Sequence, residues 1–404
     1  MLTNRQLFLN HVAQTSDEPM MLEIIKAEGV ELTDVRGKKY IDLISGISVS
    51  NVGHRHPQVV EAIKKQLDQY MHLMVYGEYI QSPQTLLAKA LTDCLPPTLD
   101  SCYFVNSGSE AIEGAMKLAK RFTGKTEIIA FKNAYHGSTQ GAMSLISNEY
   151  FKNSFRPLLP DIRFIEFNNK KDLKFITKKA ACVVAEVLQG EAGAIVPEKN
   201  FHKALREQCN ETGTLLISDE IQTGFGRTGT MFAFQQYSFI PDILVLAKGM
   251  GGGMPIGTFI SSKEIMNSLT NNPVLGHVTT FGGHPVSCAA SLATFKIISG
   301  MNLKTEVEAK EKLLRKNLVH RKIKSISGKG LMLAVEFENA ESNKKIIKRC
   351  IANGIITDWF LFAENKMRIA PPLSINNDFI IKSCELILKS IEETDGYGRK
   401  MVGK

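Results

Sequence analysis

The sequence lacks the features that mark membrane, secreted and metal-binding proteins. It has no apolar run near the roughly 20 residues that a membrane-spanning helix needs. Its first residues lack the basic stretch and following apolar stretch of a secretory signal. The seven cysteines stand singly, without a CxxC pair. That pattern suits buried thiols in a reducing compartment better than a disulfide framework or a zinc site. We therefore expect a cytoplasmic protein with no membrane partner.

Long runs of one charge sign are missing too. The formal net charge is +8, from 49 basic and 41 acidic residues, yet basic residues form only short clusters such as Lys178-Lys179. No aromatic-interleaved basic motif or zinc finger occurs, so we expect no nucleic-acid partner. A solvated basic surface, or attraction of small anionic ligands, explains the charge. His54 and His56 have no third ligand nearby in the sequence, and we expect no metal site.

Short apolar runs separated by helical patterns dominate the middle of the chain. Runs of four to six residues without polar alternation predict strands at residues 102–105, 127–131, 181–185, 214–218 and 242–247. Strands that are buried on both faces and separated by helices are typical of a mostly parallel sheet covered by helices. The sequence therefore predicts an α/β fold with a doubly wound core over about residues 50–290.

The chain is too long for one small domain, and its pattern changes near residue 302. A lysine-rich helix, a partly alternating strand at residues 330–337, a strand pair and a final helix predict a smaller α+β domain. We predict three parts: an N-terminal segment (1–50) that contributes to the small domain, a large domain (51–295) and a C-terminal small domain (296–404).

Unusual residues follow three of the predicted strands, and ligands of open α/β sheets bind beyond the carboxyl ends of strands. The turn at residues 106–109 (Asn-Ser-Gly-Ser) could bind a phosphate, although such a turn is also an ordinary helix cap. Asp219 ends an apolar strand, where a buried cation, a metal, a protonated heterocycle or a capping role explains it. Lys248 follows a buried strand, where burial makes an amine nucleophilic unless its side chain reaches solvent.

Together these pieces describe one ligand with a phosphate, a ring nitrogen and an aldehyde, which is pyridoxal phosphate (PLP). The chain resembles the class III aminotransferases of PLP fold type I, the group of acetylornithine, ornithine and 4-aminobutyrate transaminases. The resemblance extends from residues 53–57 (Gly-His-Arg-His-Pro) to 367–372 (Met-Arg-Ile-Ala-Pro-Pro). Its most specific part is the stretch 219–229, followed by Lys248. It implies a PLP-dependent transaminase whose large domain, residues 51–295, binds the cofactor beside a smaller α+β domain.

The resemblance also implies roles around the cofactor. Lys248 carries PLP as a Schiff base and moves protons, and Asp219 keeps the ring nitrogen protonated. Thr280 reaches the phosphate from a second subunit, which implies a homodimer with a shared active site. The other cofactor-binding residues are Ser107, Gly108 and Ser109 at the phosphate, Tyr135 stacked on the ring, His136 supporting it, Ile221 on the opposite face, Gln222 at the phenolic oxygen, and Glu186.

For the substrates, the resemblance implies a switch between two residues. Arg368 binds the α-carboxylate of glutamate or 2-oxoglutarate, and pairs with Glu191 when the other substrate is present. An amino acid or ω-amine then transfers its amino group to a 2-oxo acid, 2-oxoglutarate, by a ping-pong mechanism. An acetylornithine or ornithine transaminase, an aminomutase and a decarboxylating transaminase share this scaffold and stay as alternatives. A non-catalytic PLP-binding protein is disfavoured because Lys248 and Asp219 are both present.

The donor side departs from the family pattern. Family members carry an arginine after the aromatic-His-Gly motif, where this chain has Ser138, and ornithine transaminases have a tyrosine at the position of Ile47. A hydroxyl cannot replace a two-pronged cation in binding a carboxylate. We therefore expect an ω-amine or a less polar amino acid to be a better donor than acetylornithine or ornithine, unless another basic residue such as Arg156 reaches the pocket.

Overall fold

This computed structural model describes residues 2–401, with side chains up to residue 394. In chain order the strands are β1 (Ile24–Glu28), β2 (Glu31–Asp34), β3 (Lys39–Asp42), β4 (Ser101–Val105), β5 (Glu127–Phe131), β6 (Ile162–Ile165), β7 (Ala180–Glu186), β8 (Leu215–Asp219), β9 (Ile243–Leu246), β10 (Gly257–Ser261), β11 (Ser325–Lys329), β12 (Met332–Glu336), β13 (Ile355–Ile356), β14 (Trp359–Phe360) and β15 (Ala363–Ile369).

The helices lie between and around these strands. They are α1 (Asn4–His11), α2 (Ser45–Ser48), α3 (Pro57–Leu67), α4 (Ser82–Asp93), α5 (Gly108–Thr123), α6 (Gln140–Ser144), α7 (Glu149–Lys152), α8 (Phe201–Thr212), α9 (Lys263–Met266), α10 (Pro285–Ser299), α11 (Leu303–Asn317), α12 (Ala340–Ala352) and α13 (Asn377–Met401).

The central sheet has seven strands in the order β4-β10-β9-β8-β7-β5-β6. The strands from β9 to β6 pair in parallel, and β10 runs antiparallel to both of its neighbours. The predicted mostly parallel sheet is therefore confirmed. The sequence did not predict β6 or β10, because the edge strand β6 contains exposed Arg163 and β10 mixes Gly257, Thr258 and Ser261 with its apolar residues.

Helices cover both faces of this sheet. Within β7, Val183 belongs to the hydrophobic cluster on one face, together with α8 residues such as Phe201 and Leu205. The next residue, Val184, belongs to the cluster on the other face, together with α5 residues such as Ala115. Successive side chains of a strand point to opposite faces, so continuous apolar strands are needed to fill both clusters. This arrangement explains the uniform apolar runs of the sequence.

Helix α5 shows how local sequence places the site. It begins after Ser107, whose hydroxyl accepts the Glu110 N–H at 3.2 Å, and ends at Gly124 in the left-handed conformation, with φ 68°. Serine is a favoured N-cap and glycine a favoured residue beyond a helix end. The helix therefore starts directly after β4, with its N-terminus at the carboxyl end of the sheet.

Two smaller sheets join the ends of the chain. One has the order β11-β12-β15-β14, and the other the order β1-β2-β3-β13. Strand β13 pairs in parallel with β3, through Ile355 opposite Ile41, and Ile41 shares a hydrophobic cluster with residues of β12, β15 and α13. The N-terminal strands thus pack with the C-terminal third of the chain. The domain boundaries near residues 50 and 295 stay a prediction.

Within residues 2–401, no single helix is both long and apolar enough to cross a membrane. The sharply bent pair α10 and α11 passes such a test only when the two are taken together, with a bend of 78° between them.

Candidate active site

A cavity of about 450 Å³ opens at the carboxyl ends of the central strands. Its walls come from the segments that follow β4, β5, β7, β8 and β9, which converge at this edge of the sheet. Among the predicted site residues, those that line it are Ser107, Gly108, Ser109, Tyr135, His136, Glu186, Glu191, Asp219, Ile221, Gln222 and Lys248. Residues far apart in the chain are thus brought together where the topology predicts a ligand site.

Asp219, the last residue of β8, is buried, and each of its two carboxylate oxygens has a hydrogen-bond partner. Its Oδ1 accepts the Ile221 N–H at 2.9 Å, and its Oδ2 lies 2.6 Å from Nδ1 of His136. Burial lowers the pKa of His136, but the hydrogen bond and charge of Asp219 outweigh burial, so that the pKa of His136 is raised. His136 therefore donates to Asp219. Among the described residues nothing pairs with the buried Nε2 of His136.

Lys248 follows β9 and lines the cavity. Its backbone is left-handed, with φ 47°, an uncommon conformation for a residue with a side chain. Burial lowers the pKa of the Lys248 amine, against the opposing attraction of Glu191 and Asp219. A buried amine with a lowered pKa is more often neutral, and a neutral amine attacks carbonyl carbons.

Two glycines allow a close approach of chain segments at the cavity floor. A Cβ atom added to Gly108 would lie 2.8 Å from Cδ1 of Ile221. One added to Gly137, whose φ is 132°, would lie 2.1 Å from Oγ of Ser109. A side chain at either position would have to displace its neighbour, and glycine at residue 108 lets the N-terminus of α5 lie close to Ile221. The N–H groups at a helix N-terminus attract anions such as phosphate.

Glu186, at the end of β7, is buried without a cationic ion-pair partner among the described side chains. Its two oxygens accept N–H groups of Gly190 at 2.9 Å and Tyr135 at 3.2 Å. Burial raises the pKa of Glu186 to about 7, with the charge of Asp219 adding to the rise against the charge of His136. Together Asp219, His136, Glu186 and Lys248 form what we call the strand-end wall.

Another lining residue of the cavity, Glu191, belongs to an ion pair. Arg368, on β15, is 4% exposed and donates through Nη1 and Nη2 to the two oxygens of Glu191, at 3.1 and 3.0 Å. Burial raises the pKa of Glu191, but Arg368 outweighs burial and the pKa of Glu191 is lowered. Arg368 also donates through Nε to Asp358 at 2.8 Å. We call Glu191, which lines the cavity, and the residues Arg368 and Asp358 behind it the hairpin wall.

Four predicted site residues do not line the cavity. Arg368 lies behind Glu191, and Ile47 lies in α2 with a left-handed φ of 62°. The hydroxyl of Ser138 is 2.9 Å from that of Tyr135. Thr280 is exposed and does not line the cavity of the same chain, although the neighbouring Thr279 accepts a hydrogen bond from the lining residue Asn106 at 3.1 Å. Arg156 is half exposed and pairs with Glu149 at 2.6 Å, so in this structure it does not supply the missing cation.

The sequence did not single out three contact residues around the site. Fully buried Arg227 donates to Asn51 at 2.5 Å and to the Leu331 carbonyl at 2.9 Å. The Asn51 side chain packs on Gly249, where an added Cβ would lie 2.5 Å from Nδ2. These contacts tie the loop after Lys248 to the small sheets. Asp358 is the third, and no sequence pattern marks its contact with Arg368, which depends on how the hairpin folds.

Over residues 12–391 the chain matches the family described as aminotransferase class-III. The chain is a class-III aminotransferase. It is 39% identical over 369 residues to the acetylornithine aminotransferase of Methanocaldococcus jannaschii, which covers 88% of this chain and 90% of that protein.

Two solved structures share the fold of this aminotransferase. One is an ornithine aminotransferase from Toxoplasma gondii with partial occupancy of PLP, at a TM-score of 0.89 and 27% identity, covering 96% of this chain and 93% of the other. The second is the adenosylmethionine-8-amino-7-oxononanoate aminotransferase of Methanocaldococcus jannaschii, at a TM-score of 0.89 and 28% identity, covering 96% and 98%. The predicted fold class, enzyme class and PLP dependence are confirmed.

The cavity of the aminotransferase fits PLP. The N-terminus of α5, which Gly108 lets lie close to Ile221, suits a phosphate. The buried, hydrogen-bonded Asp219 suits a protonated ring nitrogen, and Lys248 presents an amine with a lowered pKa. Small amino and keto acids are the substrates of this class. Among the described residues, no group of three or more His, Cys, Asp or Glu side chains is arranged to hold a metal ion.

Proposed function

We propose that this enzyme transfers the amino group of an ω-amine or weakly polar amino acid to 2-oxoglutarate, in two half-reactions that use one cavity alternately. The main support for this proposal is the bidentate ion pair between Arg368 and Glu191 at the cavity wall. An arginine whose fork is occupied by a carboxylate of the same chain can exchange that partner for a substrate carboxylate. The pair therefore supports a site that accepts substrates with and without an α-carboxylate.

The strand-end wall holds the cofactor in this proposal. Lys248 would carry PLP, Asp219 would stabilise its ring nitrogen, and Ser107, Gly108 and Ser109 would bind its phosphate. Tyr135 and Ile221 would contact the ring, and Gln222 would bind its phenolic oxygen. His136 and Glu186 hold Asp219 and Tyr135 in place, which the contacts of His136 with Asp219 and of Glu186 with the Tyr135 N–H support.

Bound PLP supplies an aldehyde that condenses with the substrate amine and a ring that accepts the electron pair of the substrate carbon. Lys248, once freed, removes the proton from the substrate carbon that bears the amino group. Its lowered pKa supports this role, because a neutral amine can act as a base. Asp219 stabilises positive charge on the ring nitrogen, and the buried His136 keeps its carboxylate oriented.

The donor pocket in this proposal has few basic residues. Among the described residues that line the cavity, only Lys248 and His136 are basic. Ser138 already engages the Tyr135 hydroxyl at 2.9 Å, and Arg156 pairs with Glu149 at 2.6 Å. The described residues that line the cavity thus include no arginine for the far carboxylate of acetylornithine or ornithine. The observation that favours acetylornithine as the donor is the 39% identity to a relative of that name.

A homodimer with a shared active site completes the proposal. Exposed apolar side chains cluster on two segments that touch each other, where the rings of His72 and Phe281 lie 4.8 Å apart. Met71, Ile80, Val274 and Phe281 are between 54% and 96% exposed. Large exposed apolar patches mark interaction surfaces. A second copy covering this patch would carry Thr280 to its partner's cavity, and sedimentation of the purified protein tests the dimer.

The proposed reaction is tested by a panel of amino donors with 2-oxoglutarate, with glutamate formation as the readout. The panel contains ω-amines, apolar amino acids, 4-aminobutyrate, ornithine and acetylornithine. We expect an ω-amine or apolar amino acid to give the highest kcat/KM. Acetylornithine or ornithine as best donor by tenfold would overturn the donor proposal. Turnover of a donor without glutamate formation would instead indicate an aminomutase or a decarboxylating reaction.

A further inference from the structure

The turn at residues 358–362 contacts both partners of the Arg368–Glu191 pair. The Leu361 N–H donates to Oε2 of Glu191 at 3.1 Å, and the Phe362 N–H donates to the Glu191 carbonyl at 3.0 Å. From the same turn, Asp358 accepts from Arg368 and the ring of Phe360 lies 4.3 Å below the guanidinium carbon. The turn therefore fixes the geometry of the pair from outside the cavity.

The contacts of Arg368 use different edges of its guanidinium. Glu191 occupies the Nη1 and Nη2 fork, whereas Oδ1 of Asp358 accepts from Nε at 2.8 Å. A backbone hydrogen bond also joins the two residues, because the Arg368 N–H donates to the Asp358 carbonyl at 2.9 Å. Guanidinium presents five donors in a rigid fork, so a carboxylate at Nε does not compete with one at the fork.

We propose that Asp358 is a positioning residue that holds Arg368 through Nε, so that the Nη fork keeps its present orientation toward the position of the Glu191 carboxylate when Glu191 turns away. Without this contact, the departure of Glu191 leaves the Arg368 side chain, among the described residues, with the Phe360 ring and a contact of Nη2 with the Trp359 carbonyl at 3.4 Å. The long side chain then rotates, and ordering it again opposes binding of the substrate carboxylate. The inference rests on the proposed role of Arg368.

Charge supports the same assignment. Asp358 is mostly buried, with 21% of its side chain exposed, and Arg368 is 4% exposed. Arg368 and Asp358 therefore form a neutral buried pair once Glu191 leaves, and a buried arginine needs such a partner to avoid an uncompensated charge. Asp358 thus keeps Arg368 stable in the state in which the fork awaits a substrate.

The test is binding of glutarate, a dicarboxylate without an amino or keto group, to the holoenzyme by calorimetry. Asp358→Ala removes a charge-assisted hydrogen bond, and we expect the Kd for glutarate and the KM for 2-oxoglutarate to rise about tenfold. The KM for an ω-amine changes far less, because Glu191 occupies the fork in that half-reaction. Asp358→Asn keeps an oxygen at Nε but loses the negative charge, so it is expected to restore the binding only in part.

Glu364→Ala is the matched control, because Glu364 lies on the same hairpin but is exposed and pairs with Lys344. It should leave glutarate binding unchanged. Equal rises in KM for both substrates in Asp358→Ala, or unchanged glutarate binding, would overturn the inference. If Arg368→Ala weakens glutarate binding and Asp358→Ala does not, only the inference about Asp358 fails. If Arg368→Ala also has no effect, the proposed role of Arg368 itself fails.

Discussion

The two walls of the cavity differ in how they affect a buried carboxylate. Glu186 lies in the strand-end wall, and Glu191, five residues later, lies in the hairpin wall. Burial acts on both, yet the pKa of Glu186 is raised to about 7 and that of Glu191 is lowered. The difference is Arg368, which donates to both oxygens of Glu191, whereas the oxygens of Glu186 accept only backbone N–H groups among the described residues. The carboxylates of the strand-end wall are thus held by hydrogen bonds, whereas Glu191 is held by an ion pair, which we propose can exchange partners. We propose that the strand-end wall serves both half-reactions and the hairpin wall only one.

The largest effect should come from the strand-end wall, in Lys248→Ala. Both half-reactions lose their proton-transfer group, which is worth about 10²–10⁴-fold in rate, together with the attachment of the cofactor. Borohydride reduction of the unmodified enzyme, followed by peptide mapping, shows which lysine carries PLP. We expect the label at Lys248, and a label at any other lysine would refute the assignment.

The next largest effect is expected for Asp219→Ala. Loss of one stabilising charge at the reacting centre costs about 10²–10³-fold in rate. Both half-reactions should slow by similar factors, while PLP, held also at its phosphate, is largely retained. Single-turnover absorbance changes measure the two rates, and dialysis followed by PLP assay measures retention. Near-normal rates would show that Asp219 is a structural cap.

The opposite pKa shifts predict opposite effects of pH on the two walls. The raised pKa of Glu186 favours its protonated form, so its contribution to stability is present below about pH 4.5 and is lost as pH rises through about 7. The lowered pKa of Glu191 gives stability that is present above about pH 4.5 and is lost in acid.

Glu186→Gln has no carboxyl group to ionise at this position. The variant should therefore not lose this part of its stability as the pH rises through about 7. We expect the free energy of unfolding of the wild type to fall between pH 5 and pH 8 by about 1–3 kcal/mol more than that of the variant. Denaturant titrations of the PLP-free proteins at both pH values measure this difference. Glu191→Gln is the contrasting variant, and its free energy of unfolding should not be better preserved than that of the wild type between pH 5 and pH 8. Parallel pH profiles of wild type and Glu186→Gln would contradict the raised pKa.

The smallest effect is expected at the edge of the strand-end wall, in Tyr135→Phe. This change removes the hydroxyl that meets Ser138 at 2.9 Å and leaves the ring in place. One such hydrogen bond is worth about 0.5–1.5 kcal/mol, so kcat/KM should fall by less than about tenfold. Ser138→Ala is the matched variant and should show the same loss. Additive losses in the double variant would indicate that the two hydroxyls act separately.

The two walls also differ in how far the sequence predicts them. Asp219 and Lys248 each follow an apolar strand, so the topology of a parallel sheet places both at one edge, and the structure has them lining one cavity. Resemblance to the family supplied Glu191 and Arg368, which no local pattern connects because they are 177 residues apart. Asp358 could not be predicted, because its contact depends on the irregular pairing of β14 with β15.

The donor side shows the same limit. From sequence, Ser138 marks a missing arginine, but its hydrogen bond to Tyr135 depends on the turn that follows β5. Similarly, β10 completes the sheet by running antiparallel between β4 and β9, a placement its mixed composition does not indicate. Contacts set by strand order could be predicted, whereas contacts set by turns and hairpin register required the structure.

The most direct test of the contrast between the walls is the pair of half-reactions in Arg368→Ala, each followed as a single turnover in the holoenzyme. Loss of a charge-assisted bidentate contact, worth about 1.5–3 kcal/mol, should lower kcat/KM for 2-oxoglutarate by about 10–100-fold. The half-reaction with an ω-amine donor should change far less, because in it the fork of Arg368 is occupied by Glu191. Equal losses in both half-reactions, or an unchanged dependence on 2-oxoglutarate, would contradict the account.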